Sequence, residues 1–373
     1  MPDVIPLVDL GVQHAQIADE VAAGFADVLA GGDFIGGKAV AAFEQEYADF
    51  VGSRSCIGVG NGTDALEMAL RAVGVGHGDE VIVPANTFIA TAEAVLRAGA
   101  RPVFVDVDDD ALLLDPDRIE EALTPRTAAV VPVDLYGQVA PFDLLPASLA
   151  DRGITVIEDG AQSQGATRHG RVAGTFGTLA ATSFYPGKNL GAYGDGGAVT
   201  TQREDLAQRV RLLGAHGSPV KYQHTQVGFN SRLDTLQAVV LRAKLTRLGR
   251  WNDERRAAAT LYDGLLAEAP EVRLPTTLPG NEHVWHLYVV RVPNRDEVLR
   301  ALQEDGVGAG VHYPVPVHLT PAMADLGYGP GDLPVSERAA GEIISLPIFP
   351  GITREQQERV VASLLGAVRL HAG

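Results

Sequence analysis

Lys188 stands in the run Thr182-Ser183-Phe184-Tyr185-Pro186-Gly187-Lys188-Asn189-Leu190-Gly191, five positions after a serine and with no carboxylate within three residues. An apolar strand precedes it, and a glycine-rich strand entry, Gly194-Asp195-Gly196-Gly197-Ala198, follows it. A lysine that attacks a carbonyl must lose its proton, and an apolar setting lowers its pKa in that direction. The small neighbours let the backbone approach a flat ligand, and Ser183 offers a hydroxyl to a phosphate oxygen. Standing alone, Lys188 would be an ordinary solvated loop lysine. Its meaning depends on what else the chain supplies.

Glu158-Asp159-Gly160-Ala161-Gln162-Ser163 follows the apolar run Thr155-Val156-Ile157. An acid at a strand end either caps the next helix or holds a pyridine nitrogen protonated, which makes the ring an electron sink. Gln162, one helical turn on, is placed to reach a ring hydroxyl. Asp159 and Lys188 can each end a strand of their own and reach opposite ends of one ring, as pyridoxal phosphate requires. Gly58-Val59-Gly60-Asn61-Gly62-Thr63-Asp64 opens an apolar helical stretch, Ala65 to Val73, and offers free N–H groups and a positive dipole end to a phosphate. It is no dinucleotide fingerprint, because Thr63 stands where the third glycine belongs, and no Gly-Lys-Ser/Thr exists for a P-loop. The alternative is a plain strand-to-helix turn with Thr63 or Asp64 as cap.

Phe88, after Val81-Ile82-Val83, reads as a core residue or as a ring lying flat on the cofactor. His312 and His318 flank Tyr313-Pro314-Val315-Pro316-Val317, a spacing that matches no common metal site and reads as a substrate-shaping or structural loop. Lys221-Tyr222-Gln223-His224 is a solvated loop or a cation and aromatic offered to an anionic ligand.

The elements that must position these groups alternate. Val81-Ile82-Val83-Pro84, Pro102 to Asp106, Ala128 to Val133 and Thr155 to Asp159 read as buried strands. Phe88 to Ala98, Pro116 to Leu123 (with Asp115 as cap and Pro116 in the first turn) and Pro141 to Arg152 read as helices between them. Such alternation predicts a mostly parallel sheet covered on both faces, with ligands beyond the carboxyl ends of its strands. Asp234 to Ala269 reads as helical with a break at Gly249, and Pro270 to Asn281 as a loop. His286 to Val292 reads as a strand, and Arg295 to Asp305 and Arg354 to Leu370 as helices. A domain boundary is expected near residue 247, giving a large domain over 1–247 and a small one over 248–373.

The chain has 373 residues, 46% hydrophobic and 21% charged, enough for a large core and against disorder. A formal charge of -17 argues against a broad nucleic-acid or membrane surface. Cys56 is the only cysteine, so no intrachain disulfide forms and a reducing compartment fits. Met1 to Pro6 lack the basic start and apolar stretch of a secretory signal, and no run is long enough to span a membrane. A cytoplasmic globular protein is expected.

Four blocks taken together carry a family resemblance. They are Gly60-Asn61-Gly62-Thr63-Asp64-Ala65-Leu66, Glu158 to Ala166, the Lys188 run, and Gly228-Phe229-Asn230-Ser231-Arg232-Leu233-Asp234. In order and spacing they resemble the DegT/DnrJ/StrS sugar aminotransferases, which depend on pyridoxal phosphate, from Phe34 to the His312 loop. The resemblance implies the α/β architecture of fold type I: a large domain on a mostly parallel, seven-stranded-type sheet flanked by helices, and a smaller C-terminal α+β domain. It implies Lys188 as the Schiff-base lysine, Asp159 on the pyridinium nitrogen and Gln162 at the ring. Gly62, Thr63 and Ser183 would hold the phosphate, and Phe88 would stack on the ring. Asn230 would reach the phosphate of a neighbouring subunit, so a homodimer with shared sites is implied.

Tyr185, two residues after Ser183, is similar to the branch acting on 3-keto sugars, whereas family members that aminate carbon 4 tend to show histidine at this position. The retained lysine disfavours the dehydratase offshoot that replaces it with histidine. The expected reaction moves an amino group from L-glutamate to carbon 3 of a dTDP-3-keto-6-deoxyhexose, through pyridoxamine phosphate. Tyr185, Lys221, Tyr222, His312, Tyr313 and His318 are the expected substrate contacts. The alternatives are a 4-keto nucleotide sugar, a keto-cyclitol, a lyase or dehydratase, and a non-catalytic sensor on the same fold. Ala-, Gly- and Arg-rich usage suggests a high-GC bacterium and antibiotic sugar biosynthesis.

Overall fold

In the computed structural model, which describes residues 4–371, seven strands form one sheet. Met1, Pro2 and Asp3 of the amino-terminal segment lie outside the described residues. Across the sheet the order is Ser55–Val59, Gly197–Thr201, Leu179–Ser183, Thr155–Asp159, Thr127–Val130, Glu80–Pro84 and Arg101–Val105. Neighbours pair in parallel from Leu179–Ser183 to Arg101–Val105, and only Gly197–Thr201 runs against the strands beside it. Every residue of Glu80–Pro84 is buried, as a strand covered by helices on both faces requires. Helices Gly62–Ala72, Ile89–Arg97 and Glu204–Gly214 cover one face, their apolar stripes sharing a core with Val81 and Val83, while Ile82 faces the other way and packs with Ile119 and Leu149.

Pairing register decides where chemistry falls. Asp159 lies opposite Ala181, two residues before Ser183, so the acid and the hydroxyl emerge at the same carboxyl edge. Glu158 and Asp159 point to opposite faces, because strand side chains alternate. Glu158 turns away and accepts from the Gly174 and Phe176 N–H groups at 2.5 and 2.7 Å, leaving Asp159 as the acid of the edge.

The carboxyl-terminal residues build a second core. Tyr288–Arg291 and Ile343–Leu346 pair antiparallel, and helices Arg295–Glu304 and Arg354–Leu370 pack on them through Val298, Leu302, Val360 and Leu364. Helix Thr235–Leu266 joins both cores. Its Leu241 and Leu248 pack with Phe43 and Phe184, and its Tyr262 and Leu266 with Val290 and Ile344. Ile5 belongs to the second core, its N–H donating to the Gly306 carbonyl. Among the described residues no helix is long and apolar enough to cross a membrane.

Three local expectations are corrected. The long helix has no break at Gly249: a side chain there would face open space, while Leu248 and Trp251 on either side are fully buried. A glycine costs a helix about 1 kcal/mol, less than the roughly 2 kcal/mol each buried neighbour contributes. The stretch 141–152 is not one helix but a 3-10 turn, Phe142–Leu144, and a short helix, Ser148–Asp151. Pro146 forces Leu145 into an extended conformation, with ψ of 142°. The cap of helix Gly62–Ala72 is Asn61, whose side chain accepts from the Asp64 N–H at 2.8 Å, rather than Thr63 or Asp64.

Candidate active site

A cavity of about 760 Å³ opens at the carboxyl edge of the sheet, and Lys188, Asp159, Gln162, Ser183, Gly62, Thr63, Phe88, Tyr185, His312 and Tyr313 all line it. One wall is the amino end of helix Gly62–Ala72, pressed against the strands. A Cβ on Gly62 would come within 2.6 Å of Ser183 Cβ, and one on Gly197 within 2.5 Å of the Asn61 carbonyl carbon. Glycine is required at both places, and the close approach sets free helix N–H groups beside the Ser183 hydroxyl. That is an anion cradle.

Lys188 leaves the strand Leu179–Ser183 on a tight turn in which its N–H donates to the Tyr185 carbonyl at 2.8 Å. It keeps some accessible surface because it faces the cavity, yet protein surrounds it closely. Burial pulls its ammonium down to about 8, against an opposing pull from Asp159. The Asp159 carboxyl is raised above its usual range, chiefly by burial. The Thr91 hydroxyl donates to its Oδ2 at 2.8 Å, the Ala161 N–H to its Oδ1 at 3.2 Å, and with Lys188 these oppose the rise. Thr87 in turn hydrogen-bonds Thr91 at 2.8 Å.

Gln162 is clamped at both ends of its amide. The Tyr136 N–H donates to its Oε1 at 2.6 Å, and its Nε2 donates to the Tyr313 hydroxyl at 3.2 Å. Tyr313 and Phe88 form one aromatic wall, their ring centres 5.2 Å apart, with Phe88 about half exposed. His312 is held by Ser345 at 2.7 Å, and burial lowers its imidazolium to about 4.

The cradle, the buried lysine and the buried acid fit pyridoxal phosphate. Its phosphate suits the Gly62 and Ser183 corner, its aldehyde carbon suits Lys188 and its ring nitrogen suits Asp159.

Other expected contacts lie elsewhere in this chain. His318 is a core histidine, with its Nε2 3.2 Å from Glu337 and its ring beside Phe104 and Tyr328, because the helical turn Val317–Leu319 folds it inward. That corrects its placement among the substrate contacts. Lys221 and Tyr222 are exposed and do not line the cavity; the lysine Nζ sits 5.1 Å from the tyrosine ring centre. Asn230 is exposed too, accepting from Arg232 at 2.7 Å. Sequence reasoning missed Thr91 and His286, which also line the cavity. Thr91, one helical turn after Phe88, was legible in principle; His286 comes from the distant strand approach at 283–288 and carried no local signal.

Residues 15–365 match the model of the DegT/DnrJ/EryC1/StrS aminotransferase family. A Saccharopolyspora erythraea protein, named erythromycin biosynthesis sensory transduction protein EryC1, is 48% identical over 361 residues, covering 96% of this chain and 98% of that protein. The dTDP-3-amino-3,4,6-trideoxy-alpha-D-glucose transaminase of Streptomyces venezuelae is 46% identical over 358 residues, covering 96% of this chain and 94% of that protein. The crystal structure of S. venezuelae DesV in complex with a ketimine intermediate superposes with a TM-score of 0.95 at 44% identity, covering 98% of each chain.

Proposed function

This chain belongs to the DegT/DnrJ/EryC1/StrS aminotransferase family, and from that premise we propose that it is a pyridoxal phosphate-dependent transaminase. Its amino donor is L-glutamate and its acceptor is carbon 3 of a dTDP-linked 3-keto-6-deoxyhexose. The observation that carries this reading is the convergence of Lys188, Asp159 and the Gly62–Ser183 cradle on one cavity. The name of the S. venezuelae transaminase supports carbon 3 and the dTDP carrier.

When bound, pyridoxal phosphate supplies an electrophilic carbon and a ring that takes up an electron pair. Everything else is the work of the chain's own residues. Burial lowers the Lys188 ammonium to about 8, which eases loss of the proton it must give up to act as nucleophile and then as base. Its Nζ takes the proton from the α-carbon of the amino donor and delivers it elsewhere in the same cavity. Asp159, oriented by Thr91 and the Ala161 N–H, holds a proton on the ring nitrogen. Ser183 Oγ and the N–H groups of Gly62 and Thr63 hold the phosphate. Gln162 holds the ring edge, and Phe88 covers the ring face. Tyr185, His312 and Tyr313 line the sugar's approach.

The exposed Lys221, Tyr222 and Asn230 fit a homodimer in which the partner's Asn230 completes the phosphate site and Lys221 and Tyr222 grip the diphosphate. In this reading the expected division at residue 247 falls inside the long helix, with Leu248 still packing in the first core and Ile5 packing in the second. We infer a cytoplasmic enzyme, in keeping with its single unpaired cysteine, the buried Cys56.

The test is to incubate the purified protein with L-glutamate and dTDP-3-keto-6-deoxyhexose. Aminated sugar and equimolar 2-oxoglutarate are expected. Preference for a 4-keto sugar, or for a keto-cyclitol with glutamine, would overturn the substrate; conversion without 2-oxoglutarate would point to a lyase. The name of the EryC1 relative favours a second reading, a sensor that binds without turnover. A preparation that takes up the cofactor and ligand but forms no 2-oxoglutarate would support it.

A further inference from the structure

A chain of buried amides runs from the loop after Asp159 to the cavity, and its polarity is set at every step. Asn252 Nδ2 donates to the Gln164 carbonyl at 2.9 Å, which leaves Asn252 Oδ1 as acceptor. Asn189 Nδ2 donates to that oxygen and to the Val284 carbonyl, each at 2.9 Å. Turning either amide over would set oxygen against oxygen. Asn189 Oδ1 is therefore an acceptor, and His286 Nδ1, 3.3 Å away, meets it with a proton. Asn189 and Asn252 are 1% and 2% exposed, so solvent cannot substitute for any link.

His286 lines the cavity that holds Lys188. With Nδ1–H committed to Asn189, the ring offers the cavity only the lone pair of Nε2. Burial opposes protonation of that nitrogen, and so do the neighbouring Lys188, Arg255, His312 and His283. A neutral ring without a spare donor cannot grip a carboxylate or a phosphate, both of which need donors. It can accept from a hydroxyl. Glutamate brings two carboxylates, which only accept, and the amino group it surrenders in the reaction, whereas a hexose brings hydroxyl groups free to donate.

We propose that His286 Nε2 accepts a hydrogen bond from a hydroxyl of the bound hexose, making it a contact of the sugar half-reaction and not of the glutamate half-reaction. This rests on the ketosugar reading above. Asn189 and Asn252 are then positioning residues that fix the tautomer.

Single-turnover spectroscopy of the holoenzyme separates the halves, with L-glutamate for one and the dTDP-3-amino sugar for the other. For His286→Phe, the apparent Kd for the amino sugar is expected to rise about tenfold more than that for glutamate, the worth of one hydrogen bond. His286→Gln, which restores an acceptor, should recover part of the loss. Equal losses in the two halves, or none, would overturn the proposal. Should the Phe variant fail to fold, nitrogen-15 NMR of histidine-labelled wild-type protein decides. A neutral ring protonated at Nδ1 from about pH 6 to 8 is expected; a proton on Nε2 overturns the assignment. The tautomer is read even if the wild type aminates no 3-keto sugar, an outcome that removes the substrate reading instead.

Discussion

Asp159 and Asp109 are the same residue type in two regions of one molecule, and their carboxyl groups are driven in opposite directions. Asp109 lies where a loop of the large sheet region meets the carboxyl-terminal core. Burial would raise its carboxyl, but hydrogen bonds from Arg338, Arg291 and Arg273 at 2.8, 2.8 and 3.0 Å outweigh that and hold it well below the usual range. Asp159 has a hydroxyl, one backbone N–H and a lysine that burial itself discourages from carrying charge, and its carboxyl is raised. One acid is supplied with cations until it is purely structural. The other is left under-partnered beside a cavity, where a bound cation finds it receptive.

The pH dependence follows. Asp109 contributes stability above about pH 4, the ordinary carboxylate range, and that contribution is lost as pH falls through its depressed folded value. Asp159, with a raised folded value, costs the cofactor-free protein stability as pH climbs out of the carboxylate range. Lys188, depressed to about 8, makes the cofactor-free protein gain stability between about pH 8 and 10.5, where the unfolded chain still binds the proton.

The largest effect should come from Lys188→Met, which abolishes turnover while removing a buried amine. The cofactor-free variant should melt higher than wild type at neutral pH and lose the stability gain above pH 8. Residual transamination, or a lower melting temperature, would break the contrast between a site built for function and a junction built for stability. Asp159→Asn should cut the sugar half-reaction by at least about a hundredfold, the scale of a lost proton-holding group, with the melting temperature unchanged or raised. Measured rates within tenfold of wild type would remove Asp159 from the cofactor.

Asp109→Asn should do the reverse. A loss of roughly 1 kcal/mol in unfolding free energy, read from the shift of the urea midpoint, is expected, since the carboxylate is partly exposed and solvent-screened, with cofactor absorbance intact. High salt should shrink the shift, and a changed cofactor spectrum would show that the junction reaches the site. Thr91→Val should be the mildest, removing one hydrogen bond from Asp159. Cofactor affinity should weaken about fivefold by spectroscopic titration, in line with about 1 kcal/mol for one bond; no change would mean the Ala161 N–H suffices to orient the acid.

Much of this was legible before any fold was known, and the reason is local. Lys188 and Ser183 sit in one turn, Asp159 and Gln162 in another, and Gly62 and Thr63 open one helix, so each pair is held by a few consecutive residues. The capping of that helix by Asn61 was misread because caps depend on φ and ψ at a single residue, not on composition. Continuity of the long helix through Gly249 was misread because packing from two cores overrode a local propensity. His318 was misread because proline spacing says nothing about which way a helical turn faces.

The residue types and their spacing offered the groups of the proposed chemistry: a lysine able to lose its proton, an acid at a strand end, a glycine-opened helix for phosphate and an alternating pattern demanding a parallel sheet. These rest on interactions within a few positions of each other. Assembly in three dimensions settled the rest. Thr91 orients Asp159, and the tautomer of His286 is imposed by Asn189 and Asn252. Those outcomes join residues scores of positions apart, and their energies exist only once burial has removed water as the competing partner.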